Sequence, residues 1–315
     1  AGNSLGSTGF SHGSTSGIII DTSAGVCAAL NTSTSYSDMG AGTPGDPYIL
    51  CTADQIAHIA GNCNSSANTA CSYDFKLERT IDATSLTGFI GIGSPTNPYT
   101  GTFDGNNHAI ESLSIINPGQ DSIGLFSVTN GATIKDLDLH DININAQTNV
   151  GALAGEVYSS TVDNVRLRNG TIVAKTYQGG LIGWAESSSL SNLQVISTNV
   201  TTSNASAERI GGVIGYLYTS SLQQVKVSRT TKVEATNAAS TAIGGIVGYG
   251  NTSTVNIASS LARVTGGEVV GGIVGRGIST RLYKTNSLGD VNGIGSGGTA
   301  TAGLLAGSLS SYIVV

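Results

Sequence analysis

Charge is scarce in this sequence. Asp, Glu, Lys and Arg make up 11% of its 315 residues, against roughly 25% in an average soluble domain. No Lys or Arg occurs before Lys76, so the N-terminal stretch holds none of the 14 basic side chains. Blocks rich in Ala, Leu, Glu and Lys are missing, and Gly, Ser and Thr are poor helix formers, which argues against a helical protein. A net charge of -6 with scattered basic residues argues against nucleic acid as a partner. No apolar run approaches roughly 18 residues, so no membrane span is expected. Aromatics are sparse at 5%. What is present is 44 Gly, 40 Ser and 35 Thr, with 39% hydrophobic residues, enough to bury a core. These proportions point to a large, weakly charged, mostly β protein.

All four cysteines (Cys27, Cys51, Cys63, Cys71) fall in the same base-free segment. An even number of clustered cysteines suggests disulfides and a secreted or surface location. A zinc site is the competing reading, but there is no Cys-x-x-Cys spacing and His58 is the only nearby imidazole. Of three connectivities, Cys63–Cys71 closes a short polar loop and leaves Cys27–Cys51 as the other bridge. The chain begins at Ala1 without a signal peptide, as a processed export product would; a trimmed segment would look the same.

Internal repeats decide the fold. Six near-copies of one glycine motif recur: Gly151-Ala-Leu-Ala-Gly155, Gly179-Gly-Leu-Ile-Gly183, Gly211-Gly-Val-Ile-Gly215, Gly244-Gly-Ile-Val-Gly248, Gly271-Gly-Ile-Val-Gly275 and Gly303-Leu-Leu-Ala-Gly307. A degenerate seventh, Gly124-Leu-Phe-Ser127, precedes them, and successive motifs step by 28, 28, 32, 33, 27 and 32 residues. Seven residues after each motif come Ile134, Val162, Leu190, Leu222, Val255, Leu282 and Val314. Alternation follows, as in Ile134-Lys-Asp-Leu137-Asp-Leu139, which reads as strand with Leu and Val inward. No such repeat closes a core alone, so equal positions must stack into continuous parallel sheets. The pattern predicts an all-β, right-handed parallel β-helix, a β-solenoid. Columns of small hydroxyls follow the motif at fixed offsets, such as Ser160, Ser188, Ser220, Ser253 and Thr280, and suit tight turns whose side chains bond neighbouring backbone.

The Gly-Gly-Ile-Val-Gly repeats, with segments such as Ser260-Leu-Ala-Arg-Val264-Thr-Gly, resemble the GLUG-motif β-helix proteins of secreted and surface-attached bacterial proteins. Asp46-Pro-Tyr-Ile-Leu-Cys51-Thr-Ala-Asp-Gln-Ile56 is similar to the N-terminal start of those solenoids, and Thr102-Phe-Asp-Gly-Asn-Asn-His-Ala-Ile110 to their first full coil. The resemblance implies a short helix capping the stack and covers residues 46–315; it implies little about function, since the family serves as adhesins, enzyme domains and stalks. The resulting division is an extended Gly/Ser/Thr-rich arm over 1–45, a disulfide-stapled cap with first coils over 46–120, and repeats over 121–315.

Candidate sites follow from offsets. Lys135, Asp136, Asp138, His140 and Asp141 form the one dense charged set, where a catalytic pair or a Ca²⁺ site could sit. Asp138 shares its offset with Arg166, Gln194 and Lys226 of later coils, so a cross-strand ion pair is expected there and no catalytic residue. His108 follows a turn sequence, and Gly293-Ile-Gly-Ser-Gly-Gly298 lacks the Lys and helix of a phosphate loop, so no cofactor is expected. Tyr158, Trp184, Tyr216, Tyr218 and Tyr249 lie one or three residues past successive motifs, while Val157, Ala185 and Leu217 take the offset between. That parity places the aromatics outside as a stripe, a candidate contact for glycans or a protein.

The ends suggest assembly. The N-terminal arm is charge-poor around Ile18, Ile19 and Ile20, and the chain closes on the apolar Tyr312, Ile313, Val314 and Val315. Strand addition of that arm to the last coil of another copy would give a head-to-tail homopolymer. The leading expectation is a non-enzymatic, secreted or cell-surface filament subunit. The alternatives are a monomeric adhesin or carbohydrate-binding solenoid and, less favoured, a polysaccharide lyase or hydrolase.

Overall fold

The computed structural model describes residues 23–67, 69–205, 207–295, 301–310 and 313–314. Four parallel sheets enclose one core. Each regular coil runs through them in chain order: sheet A (Thr148–Val150 and its equivalents), sheet B (Ala154–Tyr158), sheet C (Thr161–Arg168) and sheet D (Thr171–Val173). The sheets hold six, seven, twelve and seven strands. The chain is a parallel β-solenoid, as the repeats require.

Register matches the sequence offsets. Ile134, Val162, Leu190, Leu222, Val255, Leu282 and Val314 are successive lateral partners in sheet C. The first six of them are wholly buried, each side chain worth about 1.5–3 kcal/mol of burial before ordering costs. The alternation is not strictly period two, because Ile134 and Leu137 are three residues apart and both face inward. A left-handed residue absorbs the extra step in each of the six sheet C strands from Thr133–His140 to Arg281–Ser287: Asp136, Asn164, Asn192, Gln224, Ile257 and Lys284 have φ between 50° and 56°. This is a bulge column, and it resets the pleat so that Leu137, Val165, Leu193, Val225 and Ala258 point inward again.

The glycines mark a second constraint. A Cβ on Gly179 would lie 2.0 Å from the Ile182 carbonyl oxygen, and one on Gly183 would lie 2.3 Å from the Val150 amide nitrogen of the preceding coil. Between sheets A and B the chain packs backbone against backbone, so only glycine fits. The next corner, between sheets B and C, is two residues long in every coil from Asn130/Thr133 to Ile278/Arg281. Its first residue is left-handed (Ser159, Ser187, Thr219, Thr252, Ser279), and its second is buried. The buried hydroxyl of each coil accepts from the backbone of the coil before: Ser160 N–H donates to Ser188 Oγ (3.1 Å), Ser188 N–H to Ser220 Oγ (3.0 Å) and Ser220 N–H to Ser253 Oγ (3.2 Å). Each hydroxyl in turn donates to a carbonyl of its own coil, as Ser220 Oγ does to Tyr218 O (2.8 Å). Length varies elsewhere: the link from sheet D to sheet A is two residues after Asn145 and Val173 but five after Thr202 and Ala235.

The N-terminal end is closed by helix α2 (Ala53–Cys63), whose capping box joins Thr52 and Gln55. Gln55 is buried yet fully satisfied, accepting from Cys51 N–H (2.6 Å) and donating to Ser35 O and Ile49 O. Both expected disulfides are formed, Cys27–Cys51 and Cys63–Cys71. The described part of the arm expected over 1–45 is folded rather than extended. Its helix α1 (Ser23–Ala29) is tied to the cap by Cys27, and the Tyr36 ring packs on Tyr48, His58 and Phe75. Ile18, Ile19 and Ile20 lie outside the described residues.

Candidate functional site

Strands of sheet B show the burial pattern inward–outward that the motif offsets imply, with Val157, Ala185 and Leu217 wholly buried. The outward positions form two columns. One runs Glu156, Trp184, Tyr216, Tyr249, Arg276; the other runs Tyr158, Glu186, Tyr218, Asn251. Neighbouring rungs are about 4.8 Å apart. The aromatics are half-buried, because they cover one another: Trp184 meets Tyr216 edge-on at 4.6 Å, Tyr216 meets Tyr249 at 5.2 Å, and Tyr216 stacks near-parallel to Tyr218 at 6.0 Å. The stripe therefore presents mixed ring faces and edges.

Two further residues complete it. Tyr177 and Arg209 sit at left-handed positions of sheet A (φ 52° and 63°) in a column with Asn149 and Ala242. Tyr177 stacks on Trp184 at 5.4 Å and 19°. The Arg209 guanidinium lies 4.5 Å from the Tyr177 ring, 5.3 Å from Tyr249 and 5.4 Å from Tyr216, and donates to the Tyr177 hydroxyl. It is a cation held between three rings, and it also faces Glu208 at 3.3 Å. Neither residue was expected from sequence. Both lie two residues before their glycine pair, an offset shared with Asn149 and Ala242, and that spacing is the signal that could have found them.

The ladder is polar along its length. At one end Glu156 accepts from Asn149 Nδ2 (2.7 Å), Tyr158 OH (2.6 Å) and Ser122 Oγ, while Glu186 accepts from the Trp184 indole (3.3 Å). Burial, then the hydrogen bond to Glu156, push the Tyr158 phenol far above its ordinary value. Burial likewise raises Tyr216. At the other end Arg276 is exposed, 5.9 Å above the Tyr249 ring.

In the dense charged set beside sheet C, the expected Asp138–Arg166 pair forms. Arg166 clasps Asp138 with both Nε and Nη2, Nε lying 2.9 and 3.1 Å from the two carboxylate oxygens. Lys135 bonds Asp104 (2.7 Å), which raises its ammonium above the usual range, and also faces Asp136 at 3.6 Å. Asn164 donates to Asp136 (2.7 Å), and His140 lies 3.6 Å from Glu111. Asp136, Asp138, Asn164 and Arg166, with Asn107, Asn192 and Gln194, line a shallow polar cavity of about 150 Å³. Asp141 occupies a left-handed turn, and the His108 amide closes the turn on Gly105 O. Among the described residues no group of three or more His, Cys, Asp or Glu is placed to hold a metal ion, and no helix is long and apolar enough to cross a membrane. Ile313 and Val314 extend sheet C by pairing with Arg281 and Leu282; Tyr312 and Val315 lie outside the described residues.

Residues 74–169 match the family described as the M26 IgA1-specific metallo-endopeptidase N-terminal region. The chain is 32% identical over 131 residues to halomucin of Haloquadratum walsbyi, a match covering 40% of this chain and 1% of that protein's length. It is also similar to the crystal structure of a candidate immunoglobulin A1 protease from Bacteroides ovatus, with a TM-score of 0.64, 18% identity, and 85% and 87% of the two chains covered. At that identity the likeness concerns the fold, and what it establishes for this chain is the β-solenoid.

Proposed function

We propose that this chain is a non-catalytic, extracellular solenoid segment that holds a carbohydrate along its aromatic–arginine ladder. One observation carries the reading: Tyr177, Trp184, Tyr216, Tyr218 and Tyr249 gather with Arg209 on a single outward strip, half-buried and rimmed by Glu156, Glu186 and Asn251. Ring faces suit the apolar faces of sugars, and the carboxylates and amide at the rim suit their hydroxyls. The strip is only three side-chain columns wide, whereas a stable protein interface needs about 800 Å² per partner. The sheet C carboxylates Asp138 and Asp104 are engaged in ion pairs, and Asp136 accepts a hydrogen bond from the Asn164 side chain, which favours a structural role for them over lyase or hydrolase chemistry. The proteins that this chain resembles suit a secreted or surface location, as do its disulfides. The test is a glycan array: binding by the wild type should be lost in Trp184→Ala and Tyr216→Ala. Array binding unaffected by both substitutions would refute it.

A second reading, head-to-tail assembly of copies, is favoured by axial charge separation. Residues 1–200 hold six basic and sixteen acidic side chains, and residues 201–315 hold eight and four, a net -10 against +4. Opposite ends attract, which aligns copies in one direction. The N-terminal arm around Ile18–Ile20 would reach the last coil of the next copy. Filaments seen by electron microscopy that persist after deletion of residues 1–22 would rule out that arm as the link.

A further inference from the structure

Within the ladder, one charged group is left without a partner. Arg276 is exposed, lies over the Tyr249 ring, and makes no hydrogen bond or ion pair among the described residues. Its lateral neighbours are Tyr249 and Ser308, neither of which can neutralise it. Arg209, by contrast, is shared among Tyr177, Glu208 and three rings. The opposite end of the same strip carries Glu156 and Glu186, with Glu208 beside Arg209. A ligand lying along the axis thus meets carboxylates first, then rings, then a free guanidinium. A polyanion would be repelled over most of that path, and a neutral chain would leave Arg276 unused.

Taking the carbohydrate reading as its basis, we infer that the ladder accepts an oligosaccharide with one acidic sugar at its end, oriented so that the carboxylate meets Arg276 and the neutral residues lie on Tyr249, Tyr216 and Trp184. Trp184 and Arg276 are three rungs apart, about 14 Å, a span that a tri- or tetrasaccharide covers. A guanidinium fork matches a carboxylate with two parallel hydrogen bonds, so a planar acid is the anion that this end selects.

Trp184 is the one tryptophan of the chain, so its fluorescence reads the site directly. The experiment uses oligosaccharides with uronic or sialic termini, each as the free acid and as its methyl ester, together with polygalacturonate. They are screened on an array and titrated by tryptophan fluorescence. The free acid should bind about tenfold more tightly than its ester, the difference one charge-assisted pair supplies. Arg276→Gln should bring the acid down to the ester's affinity and leave the ester unchanged. Added salt should weaken the acid alone. Equal affinity of acid and ester, an acid preference that survives Arg276→Gln, or tighter binding of polygalacturonate would each overturn the inference while leaving the carbohydrate reading intact. If neither acid nor ester binds, that reading falls as well.

Discussion

Removing one hydroxyl from the buried corner column should disturb the coil before it. In Ser220→Ala the lost Oγ accepted the Ser188 amide at 3.0 Å and donated to the Tyr218 carbonyl at 2.8 Å. That carbonyl keeps a second partner, the Ser187 amide at 3.1 Å. The amide keeps none among the described residues, and Ser188 is 5% exposed. Leaving a buried donor unsatisfied costs about 1–3 kcal/mol. If the Ser188 amide exchanges by local opening, that is about a 5- to 150-fold faster exchange. Amide hydrogen exchange resolved by residue is the assay, since a repeat array need not unfold as one unit. The effect should appear at Ser188, one coil toward the N-terminus, while the Ser220 amide keeps its bond to Ser253 Oγ. Ser221→Ala, at an exposed position alongside, should stay within about 0.5 kcal/mol of the wild type. Unchanged protection at Ser188, or a loss confined to residue 220 itself, would refute the directional ladder.

Two further outcomes concern packing and pH. Gly211→Ala places a Cβ 2.0 Å from the Ile214 carbonyl oxygen and should lower stability by about 1–3 kcal/mol in urea unfolding, whereas Gly119→Ala meets nothing within 4 Å and should be tolerated. Tyr99 is fully buried and donates to Tyr73 O at 2.9 Å; burial, then the charge of Asp74, raise its phenol well above the ordinary 10. The folded state therefore holds a proton that the unfolded chain releases. Stability is complete below pH 10 and falls as the pH climbs above it, by up to about 1.4 kcal/mol per pH unit for this group. Urea midpoints measured from pH 8 to 11 should show that decline, and Tyr99→Phe should flatten it; an unchanged slope would contradict the assignment.

Most of the solenoid is legible in the sequence because its physics is repetitive. The motif steps equal the lateral spacing of sheet C, and the hydroxyl columns stand where tight turns were expected. The Asp138–Arg166 pair follows from register alone. What escapes is the left-handed backbone at non-glycine residues. Ser159, Asp136 and Arg209 carry it although no glycine marks the position. The bulge in sheet C and the turning of Tyr177 and Arg209 onto the aromatics both stem from this. The stripe expected as Tyr158, Trp184, Tyr216, Tyr218 and Tyr249 is instead a cluster of Tyr177, Trp184, Tyr216, Tyr218 and Tyr249 around Arg209, with the Tyr158 hydroxyl bound to Glu156. The Cys27–Cys51 bridge was expected, but the folding of residues 23–45 onto the cap also depends on Tyr36 packing against Tyr48, His58 and Phe75, partners that local composition does not reveal.

The corners of the solenoid differ in what they can tolerate over evolutionary time. The two-residue turn beside sheet B has one length in every regular coil, while the link from sheet D to sheet A takes two, five or more. One edge of the molecule thus works as a ruler with fixed graduations, and the opposite edge is free to acquire loops. New segments can be inserted there without moving any rung, so the protein can diversify its outline while whatever lies along the rings still meets them at an unaltered spacing.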